Sequence, residues 1–320
     1  MKKILIIGAI GQIGSELTMA LRTIYGGENV IASDINNAAS EKFLKSVTFE
    51  IIDITNKSAI VSLVKKYNIN TIIDLAAILS ATGEKNPMLA WNVNINGLIN
   101  VLEVAREHKL EQVLIPSSIA VFGPGTPIEC APQETVLHPT TMYGITKVAG
   151  ELVADYYVKK YNLDVRGLRY PGIISNETLP GGGTTDYAVA IYYDAIKYGK
   201  YTCFVKEDTR LPMMYMPDCL KATIDLLQAD LATLKHHSDF NVGAMSFSVK
   251  ELAESIKKYM PNFQIEYKPD YRQAIADSWP NAVDDSAARK EWGWKPSYDL
   301  NTMTQDMLKV IGEKHKKGLI

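Results

Sequence analysis

The order of elements at the amino terminus constrains the fold most strongly. A short apolar run, 4–7, leads directly into three glycines at three-residue spacing, Gly8, Gly11 and Gly14. Apolar residues at helical spacing follow, and a second apolar pair then leads to Asp34. Glycines let a backbone turn tightly beside a pyrophosphate, and a helix N-terminus offers it free N–H groups. This order predicts a dinucleotide-binding unit, in which Asp34 accepts hydrogen bonds from the adenosine ribose and favours NAD over NADP.

Strand-like and helix-like stretches continue to alternate as far as Tyr170. Strands are expected near 48–52, 71–75, 112–116 and 164–170, and helices near 58–67, 88–108 and 143–161. This alternation predicts an α/β Rossmann fold, a doubly wound parallel sheet with helices on both faces. We expect a dinucleotide-binding domain over 1–170 and about 214–240. Loop-forming glycines and prolines after Tyr170 suggest a smaller substrate-binding lobe over about 171–213 and 241–320.

Charge and cysteine content exclude several classes of function. Lys and Arg total 34 against 36 for Asp and Glu, a formal net charge of −2, so nucleic-acid binding is not expected. The three cysteines are scattered and no histidine lies near them, which argues against a metal site or a disulfide framework. The apolar run at the amino terminus is far shorter than the roughly 20 residues of a membrane span. We expect a cytoplasmic protein that binds no membrane.

A tyrosine and a lysine four residues apart form the candidate catalytic pair. Tyr143 and Lys147 share one face of a predicted helix, and Ser118 ends the preceding strand. An ordinary phenol is a poor base, but a nearby ammonium and an oxidised nicotinamide ring together can lower its pKa to about 7 to 8. Tyr143 would then take a hydroxyl proton from a substrate that Ser118 holds. The same spacing recurs in two other pairs, Tyr156 with Lys160 and Tyr193 with Lys197.

These motifs together resemble those of the extended short-chain dehydrogenase/reductases, over the whole chain and in the family's order. The other motifs that carry the resemblance are Asp53, Asn94-x-x-Gly97 and Ser117-Ser118-x-x-Val121-Phe122-Gly123. The resemblance implies a Rossmann fold, NAD as cofactor, and Ser118, Tyr143 and Lys147 as catalytic residues. It also implies that Asp53 lies by the adenine and that Asn94 orders the active-site helix. The further cofactor contacts expected are Gln12, Ile13, Ile54, Leu75, Ala76, Ala77, Ser117, Tyr170, Pro171 and Ile173.

Within this family the chain is similar to the L-threonine 3-dehydrogenases of the short-chain type. The similar stretches are 116–120, 179–189, 210–218, 275–280 and 284–289. The resemblance implies NAD⁺-dependent oxidation of L-threonine at C3 to 2-amino-3-oxobutanoate.

The chemistry of such a substrate is compatible with the residues. Gly183, Thr184 and Thr185 can donate hydrogen bonds to its carboxylate. Asp186 can pair with its ammonium, Ser80 is a further polar contact, and Trp279 could close the pocket over the methyl group. Alternatively, 181–186 is a surface loop that caps the next helix.

Two other functions remain open from the sequence. A nucleotide-sugar epimerase or dehydratase on the same scaffold would need basic groups for a diphosphate, for which Arg210 and Arg272 are available. A non-catalytic protein that senses NAD(H) is the second alternative. The resemblance also implies a homodimer through the helices near 88–108 and 143–161, with Trp91, Tyr156 and Tyr157 in the interface or in the core.

Overall fold

The chain folds into alternating strands and helices. The computed structural model describes residues 2–177, 181 and 183–320. The strands are, in chain order, Ile4–Ile7 (β1), Val30–Asp34 (β2), Thr48–Ile51 (β3), Thr71–Asp74 (β4), Gln112–Ser118 (β5), Val165–Tyr170 (β6), Gly172–Ile174 (β7), Lys200–Cys203 (β8), Arg210–Tyr215 (β9), Phe240–Asn241 (β10), Met245–Ser248 (β11) and Gln264–Tyr267 (β12). The α-helices are Gln12–Tyr25 (α1), Glu41–Ser46 (α2), Lys57–Tyr67 (α3), Ser80–Lys85 (α4), Pro87–Trp91 (α5), Gly97–Glu107 (α6), Met142–Tyr161 (α7), Tyr187–Tyr198 (α8), Met216–Gln228 (α9), Val249–Lys257 (α10), Arg272–Ala276 (α11), Ser286–Trp292 (α12) and Leu300–Lys316 (α13).

A seven-stranded sheet forms the centre of the described structure. Its strands pair in parallel in the order β10-β6-β5-β4-β1-β2-β3. The chain first moves outward from β1 to β3 and then returns to the other side of β1 as β4, so the strand order reverses between β1 and β4. Ligands of doubly wound sheets bind at this reversal, beyond the carboxyl ends of the strands. The predicted Rossmann fold is confirmed.

The apolar run of β1 is explained by burial on both faces of the sheet. Leu5 and Ile7 pack in one core with residues of α3 and α6. Ile4 and Ile6 pack in another with residues of α1 and α9. Helices therefore cover both faces, and a strand in this position has no side that could carry polar residues.

One predicted helix is divided in the structure. The expected helix 88–108 consists of α5, a π-helical turn at Asn92–Asn96, and α6. A wide turn of this kind shifts the helix face that the following residues present, and the regular 3.6-residue period cannot reveal it. The short helix α4 was not predicted either, because six residues are too few for a period to show.

Two smaller sheets of the described structure are formed by strands that come after β6 in the chain. Strands β11, β9 and β7 form a three-stranded sheet, and β12 pairs with β8. Helix α9 packs against α1, and β10 returns to the edge of the central sheet beside β6. The division into two lobes at the predicted boundaries stays a prediction. Over the described ranges, no helix has both the length and the apolar character to cross a bilayer.

A close helix approach predicts opposite effects for two glycine substitutions. A Cβ on Gly144 in α7 would lie 2.2 Å from the carbonyl oxygen of Ala120, whereas one on Gly312 in α13 would lie 3.8 Å from Ile196 Cδ1. We predict that Gly144→Ala lowers the free energy of unfolding by about 2 kcal/mol, because α7 must move away from the turn at Ile119–Val121 that follows β5. Gly312→Ala, the control, should raise it by about 0.5 to 1 kcal/mol through helix propensity. Chemical denaturation measures both, and equal stabilities would contradict the packing argument.

Candidate active site

The glycine turn joins β1 to α1 where the strand order reverses. Gly8 has a φ of +85°, and a Cβ there would lie 2.7 Å from the backbone nitrogen of Ala76. A Cβ on Gly14 would lie 2.1 Å from the carbonyl oxygen of Gly8. Gly11 precedes α1, and no side chain of the described residues caps this helix, so the N–H groups of its first turn are available to a ligand. The turn therefore fits a pyrophosphate.

Asp34 lies beside this turn at the end of β2. Its two carboxylate oxygens accept hydrogen bonds from the backbone nitrogens of Ile10, at 3.1 Å, and Ile35, at 2.8 Å. Each oxygen keeps a lone pair for a further donor. The position suits a pair of ribose hydroxyls, and the negative charge disfavours a phosphate there.

Two predicted cofactor contacts follow β3, and Asp53 is the one expected to lie by the adenine. Asp53 is exposed, and its Oδ1 accepts from the backbone nitrogen of Thr55 at 2.8 Å. Ile54 is 4% exposed and packs against α6, where a Cβ on Gly97 would lie 2.8 Å from Ile54 Cγ2. The side chain of Ile54 therefore belongs to the core, and the predicted cofactor contact of this residue concerns its backbone only.

A cleft of about 280 Å³ beyond the strand ends gathers most of the predicted site residues. It is lined by the catalytic set Ser118, Tyr143 and Lys147, by the predicted cofactor contacts Gly8, Gly11, Gln12, Ile13, Gly14, Leu75, Ala77, Ser117, Tyr170, Pro171 and Ile173, and by the predicted substrate contacts Ser80, Gly183, Thr184, Thr185, Asp186 and Trp279. Leu79 and Pro116 also line it. Sequence reasoning missed both residues, because an apolar residue beside a strand end gives no chemical signal.

The first turn of α7 positions the candidate catalytic residues. Thr141 Oγ1 accepts a hydrogen bond from the backbone nitrogen of Gly144 at 3.1 Å and so caps the helix. The side chains of Tyr143 and Ser118 are hydrogen-bonded. Lys147 Nζ donates to the carbonyl oxygen of Pro116 at 2.7 Å and lies 5.5 Å from the centroid of the Tyr143 ring. The predicted trio is therefore assembled at one point of the cleft.

Burial dominates the pKa of Tyr143 when only the protein's own groups act on the phenol. Burial raises the pKa of Tyr143 to about 12, and the hydrogen bond with Ser118 opposes the rise only in part. Burial also lowers the pKa of the Lys147 ammonium, against the attraction of Asp74 and Glu151. The protein's own groups therefore desolvate the phenolate more than they stabilise it, since the phenol and the ammonium are buried together.

Asn94 connects the π-helical turn to α7. Its Oδ1 accepts from the backbone nitrogen of Ile78 at 2.8 Å, and its Nδ2 donates to the carbonyl oxygen of Ile78 at 3.1 Å. Nδ2 also donates to Thr146 Oγ1 at 3.0 Å. Asn94 therefore ties the loop after β4 to the helix that carries Tyr143 and Lys147. It does not line the cleft itself, and neither does Ala76; both border a smaller cavity behind Lys147.

The predicted substrate loop, 183–186, contains a hydrogen bond between two of its own residues. Asp186 Oδ2 accepts from the backbone nitrogen of Gly183 at 2.6 Å, so the N–H group that was expected to bind a substrate carboxylate already has an acceptor. Thr184 and Thr185 still line the cleft, as does Asp186. Of the similar stretch 179–189, Leu179, Pro180 and Gly182 lie outside the described residues.

The remaining polar candidates lie elsewhere. Tyr156 is 53% exposed on α7, and Tyr193 donates to the carbonyl oxygen of Asn176 at 3.3 Å; neither lines the cleft. No group of three or more histidine, cysteine or acidic residues in the described part of the chain is placed to hold a metal ion.

The chain is similar in sequence and in fold to several known proteins. The model of the NAD-dependent epimerase/dehydratase family matches residues 4–243. An uncharacterized epimerase/dehydratase of Staphylococcus saprophyticus is 50% identical over 317 residues, 99% of each chain. The L-threonine dehydrogenase of Clostridium difficile has a TM-score of 0.96 and 54% identity over 98% of each chain. The holo form of L-threonine dehydrogenase from Cupriavidus necator has a TM-score of 0.93 and 51% identity, covering 96% of this chain and 99% of the other.

The family model matches three quarters of the chain, and this match shows the family. The chain belongs to the NAD-dependent epimerase/dehydratase family, as its resemblance to the extended short-chain dehydrogenase/reductases predicted.

Proposed function

We propose that the protein is an NAD-dependent L-threonine 3-dehydrogenase that oxidises the C3 hydroxyl of L-threonine to give 2-amino-3-oxobutanoate. The observation that carries the proposal is a shared cleft, which is lined both by Ser118, Tyr143 and Lys147 and by Thr184, Thr185 and Asp186. The similarity to two L-threonine dehydrogenases of half-identical sequence supports it.

The residues at the strand ends divide the chemistry between them. Gly8, Gly11 and Gly14 would hold the pyrophosphate of NAD, and Asp34 its adenosine ribose. The bound cofactor supplies the hydride acceptor. Tyr143 Oη takes the proton of the C3 hydroxyl, and the Ser118 hydroxyl donates a hydrogen bond to the same substrate oxygen.

Tyr143 needs positive charge beside it to act as a base. Burial raises the pKa of Tyr143 to about 12, so its neutral form dominates at physiological pH without such charge. Lys147 provides one cation, at 5.5 Å from the ring centroid, and an oxidised nicotinamide ring provides a second. Tyr143 would therefore become basic in the oxidised complex, in which the proton has to be removed.

The polar residues of 184–186, which also line the cleft, suit a small amino alcohol. The hydroxyls of Thr184 and Thr185 would bind the carboxylate, and Asp186 the ammonium. Trp279 is 6% exposed and lines the cleft from the core of the C-terminal part, so it would cover the methyl group and exclude water.

The positions of Arg210 and Arg272, the two arginines available for a diphosphate, argue against a nucleotide-sugar substrate. Arg210 pairs with Glu251 at 2.6 Å, and Arg272 pairs with Asp270 at 2.7 Å while it stacks on the Phe204 ring at 3.2 Å. Neither lines the cleft, where Lys147 is the sole cationic side chain of the described lining residues. The diphosphate of a nucleotide sugar, bound in addition to that of NAD, would therefore have no further cationic side chain among these lining residues. The assembled Ser118–Tyr143–Lys147 trio likewise favours an enzyme over a non-catalytic NAD(H) sensor.

A homodimer through α5 and α7 is also proposed. Met88 and Leu89 on α5, and Leu152 and Tyr156 on α7, are large apolar side chains that are 74%, 46%, 66% and 53% exposed. Trp91 is 37% exposed, whereas Tyr157 is buried and donates to Glu103, so Tyr157 belongs to the core. A second copy would bury this apolar surface.

We predict that the purified protein reduces NAD⁺ in the presence of L-threonine, as followed by the absorbance of NADH. NADP⁺ should support much slower turnover, because Asp34 repels its 2′-phosphate. Incubation with UDP-galactose should yield no epimer. Reduction of NAD⁺ that is no faster with L-threonine than without it would refute the proposed substrate.

The base can be tested with two tyrosines of the same helix. Tyr143→Phe should lower kcat by at least about 100-fold, because it removes the proton acceptor, while NADH still binds. Tyr156→Phe, which also stands four residues before a lysine, is the control and should keep wild-type kcat. If kcat survives in Tyr143→Phe, the base lies elsewhere.

The dimer can be tested with two equally exposed apolar residues. Leu152→Asp should shift the protein to monomers in light-scattering measurements, because it places a charge in the proposed apolar contact. Tyr198→Asp on α8, where the tyrosine is 66% exposed like Leu152, is the control and should not change the mass. A wild-type protein that is monomeric would refute the dimer.

A further inference from the structure

A buried carboxylate that the proposed chemistry does not use lies behind the catalytic lysine. Asp74 is the last residue of β4, pairs with Ile7 in the sheet and is 5% exposed. Its Oδ1 accepts a hydrogen bond from the backbone nitrogen of Ala76 at 3.1 Å. An acidic residue in the middle of an apolar sheet is unfavourable unless its charge has a partner.

A small cavity connects this carboxylate to α7. Asp74, Asn94, Thr146, Lys147 and Glu151 all line it, and its volume of about 20 Å³ is that of one water molecule. Lys147 also lines the main cleft, so this side chain separates the two spaces. A polar wall of this kind allows Asp74 and Lys147 to interact through a bridging water.

The second carboxylate of the cavity already has a cationic partner of its own. Glu151 pairs with Arg169 through contacts of 2.8 and 2.9 Å, and it also accepts from Ser117. Lys147, in contrast, is the cation that acts on Asp74. Asn94 and Leu98 from the helix side and Ile115 and Ser117 from β5 carry no titratable group. The two charges that remain around the cavity are therefore those of Asp74 and Lys147.

We propose that Asp74 is a positioning residue that supplies the counter-charge of Lys147 and thereby favours the oxidised over the reduced dinucleotide in the cleft. The inference rests on the proposed dinucleotide binding and not on threonine as substrate. An oxidised nicotinamide ring brings a positive charge to a buried site that already contains the Lys147 ammonium, and like charges repel strongly there. A carboxylate on the far side of Lys147 offsets that repulsion. A reduced ring is neutral and gains nothing from it.

The mutual effect of the two groups supports this pairing. Burial raises the pKa of Asp74, and Lys147 acts against that rise. Burial lowers the pKa of Lys147, and Asp74 is the strongest of the groups that act against this. Each group therefore stabilises the charged form of the other.

The test compares the binding of the two oxidation states. Asp74→Asn keeps an oxygen that can accept from Ala76 and nearly the same volume, and it removes only the charge. We expect the Kd for NAD⁺ to rise roughly tenfold and the Kd for NADH to change by less than about twofold. Calorimetric titration measures both without turnover. A purely structural defect would weaken both forms together.

The matched control is a carboxylate at the opposite end of the sheet. Asp164 precedes β6, and its Oδ1 lies 2.8 Å from Arg166 Nε. Asp164→Asn should leave the ratio of the two affinities unchanged, even where thermal unfolding shows lower stability. If Asp74→Asn does not fold, Asp74→Ser replaces it, since serine is neutral and keeps an oxygen acceptor.

Three results would overturn the role of Asp74: equal weakening of both forms, unchanged affinity for NAD⁺, or failure of both neutral variants to fold, which would assign Asp74 to folding. The proposed function is tested by separate outcomes. A wild-type protein that binds NAD⁺ and NADH but does not oxidise threonine would contradict the substrate and still allow the test of Asp74. A wild-type protein that binds neither form would overturn both proposals.

Discussion

The contact of the first turn of α7 with β5 and with the turn that follows β5 determines the geometry of the candidate active site. Gly144 lets the helix approach the carbonyl oxygen of Ala120 more closely than any side chain would allow, and the Lys147 ammonium binds the carbonyl oxygen of Pro116. These contacts set the position of Tyr143 against Ser118 and of both against the glycine turn. Because interiors are close-packed, a shift of this helix by even one methyl group would displace the candidate catalytic residues Tyr143 and Lys147 together.

A buried ion pair between Arg169 and Glu151 connects α7 to the central sheet. Arg169 in β6 binds Glu151 of α7, the carbonyl oxygen of Gln133 and the amide of Asn241 in β10. An arginine 3% exposed is costly unless its donors are satisfied, and here one guanidinium joins a helix, a loop and an edge strand. The return of β10 to the central sheet therefore orients the helix that carries Lys147, although β10 is only two residues long.

Several residues could be identified from the chain alone because local chemistry determines them. Gly8 and Gly14 stand where a Cβ would collide with backbone, and Tyr143 with Lys147 stands at the start of a helix after a serine-terminated strand. Their position relative to the predicted strands carries the information, because the spacing of Tyr143 and Lys147 recurs elsewhere in the chain, and all four residues line the cleft. The acidity of Tyr143 could not be obtained in this way, because it depends on how completely the surrounding atoms exclude water.

The sequence by itself determined the Rossmann topology, the dinucleotide turn and the identity of the candidate catalytic residues, since periodicity and spacing act over short distances along the chain. Only the tertiary structure decided which groups can still bind a ligand. The side chain of Ile54 is buried in the core, and the N–H group of Gly183 donates to Asp186. The tertiary structure also placed Asp74 beside Lys147 in the small cavity. These outcomes depend on pairings between residues far apart in the chain. Burial and packing set them, and no pattern of neighbouring residues encodes burial at a single position.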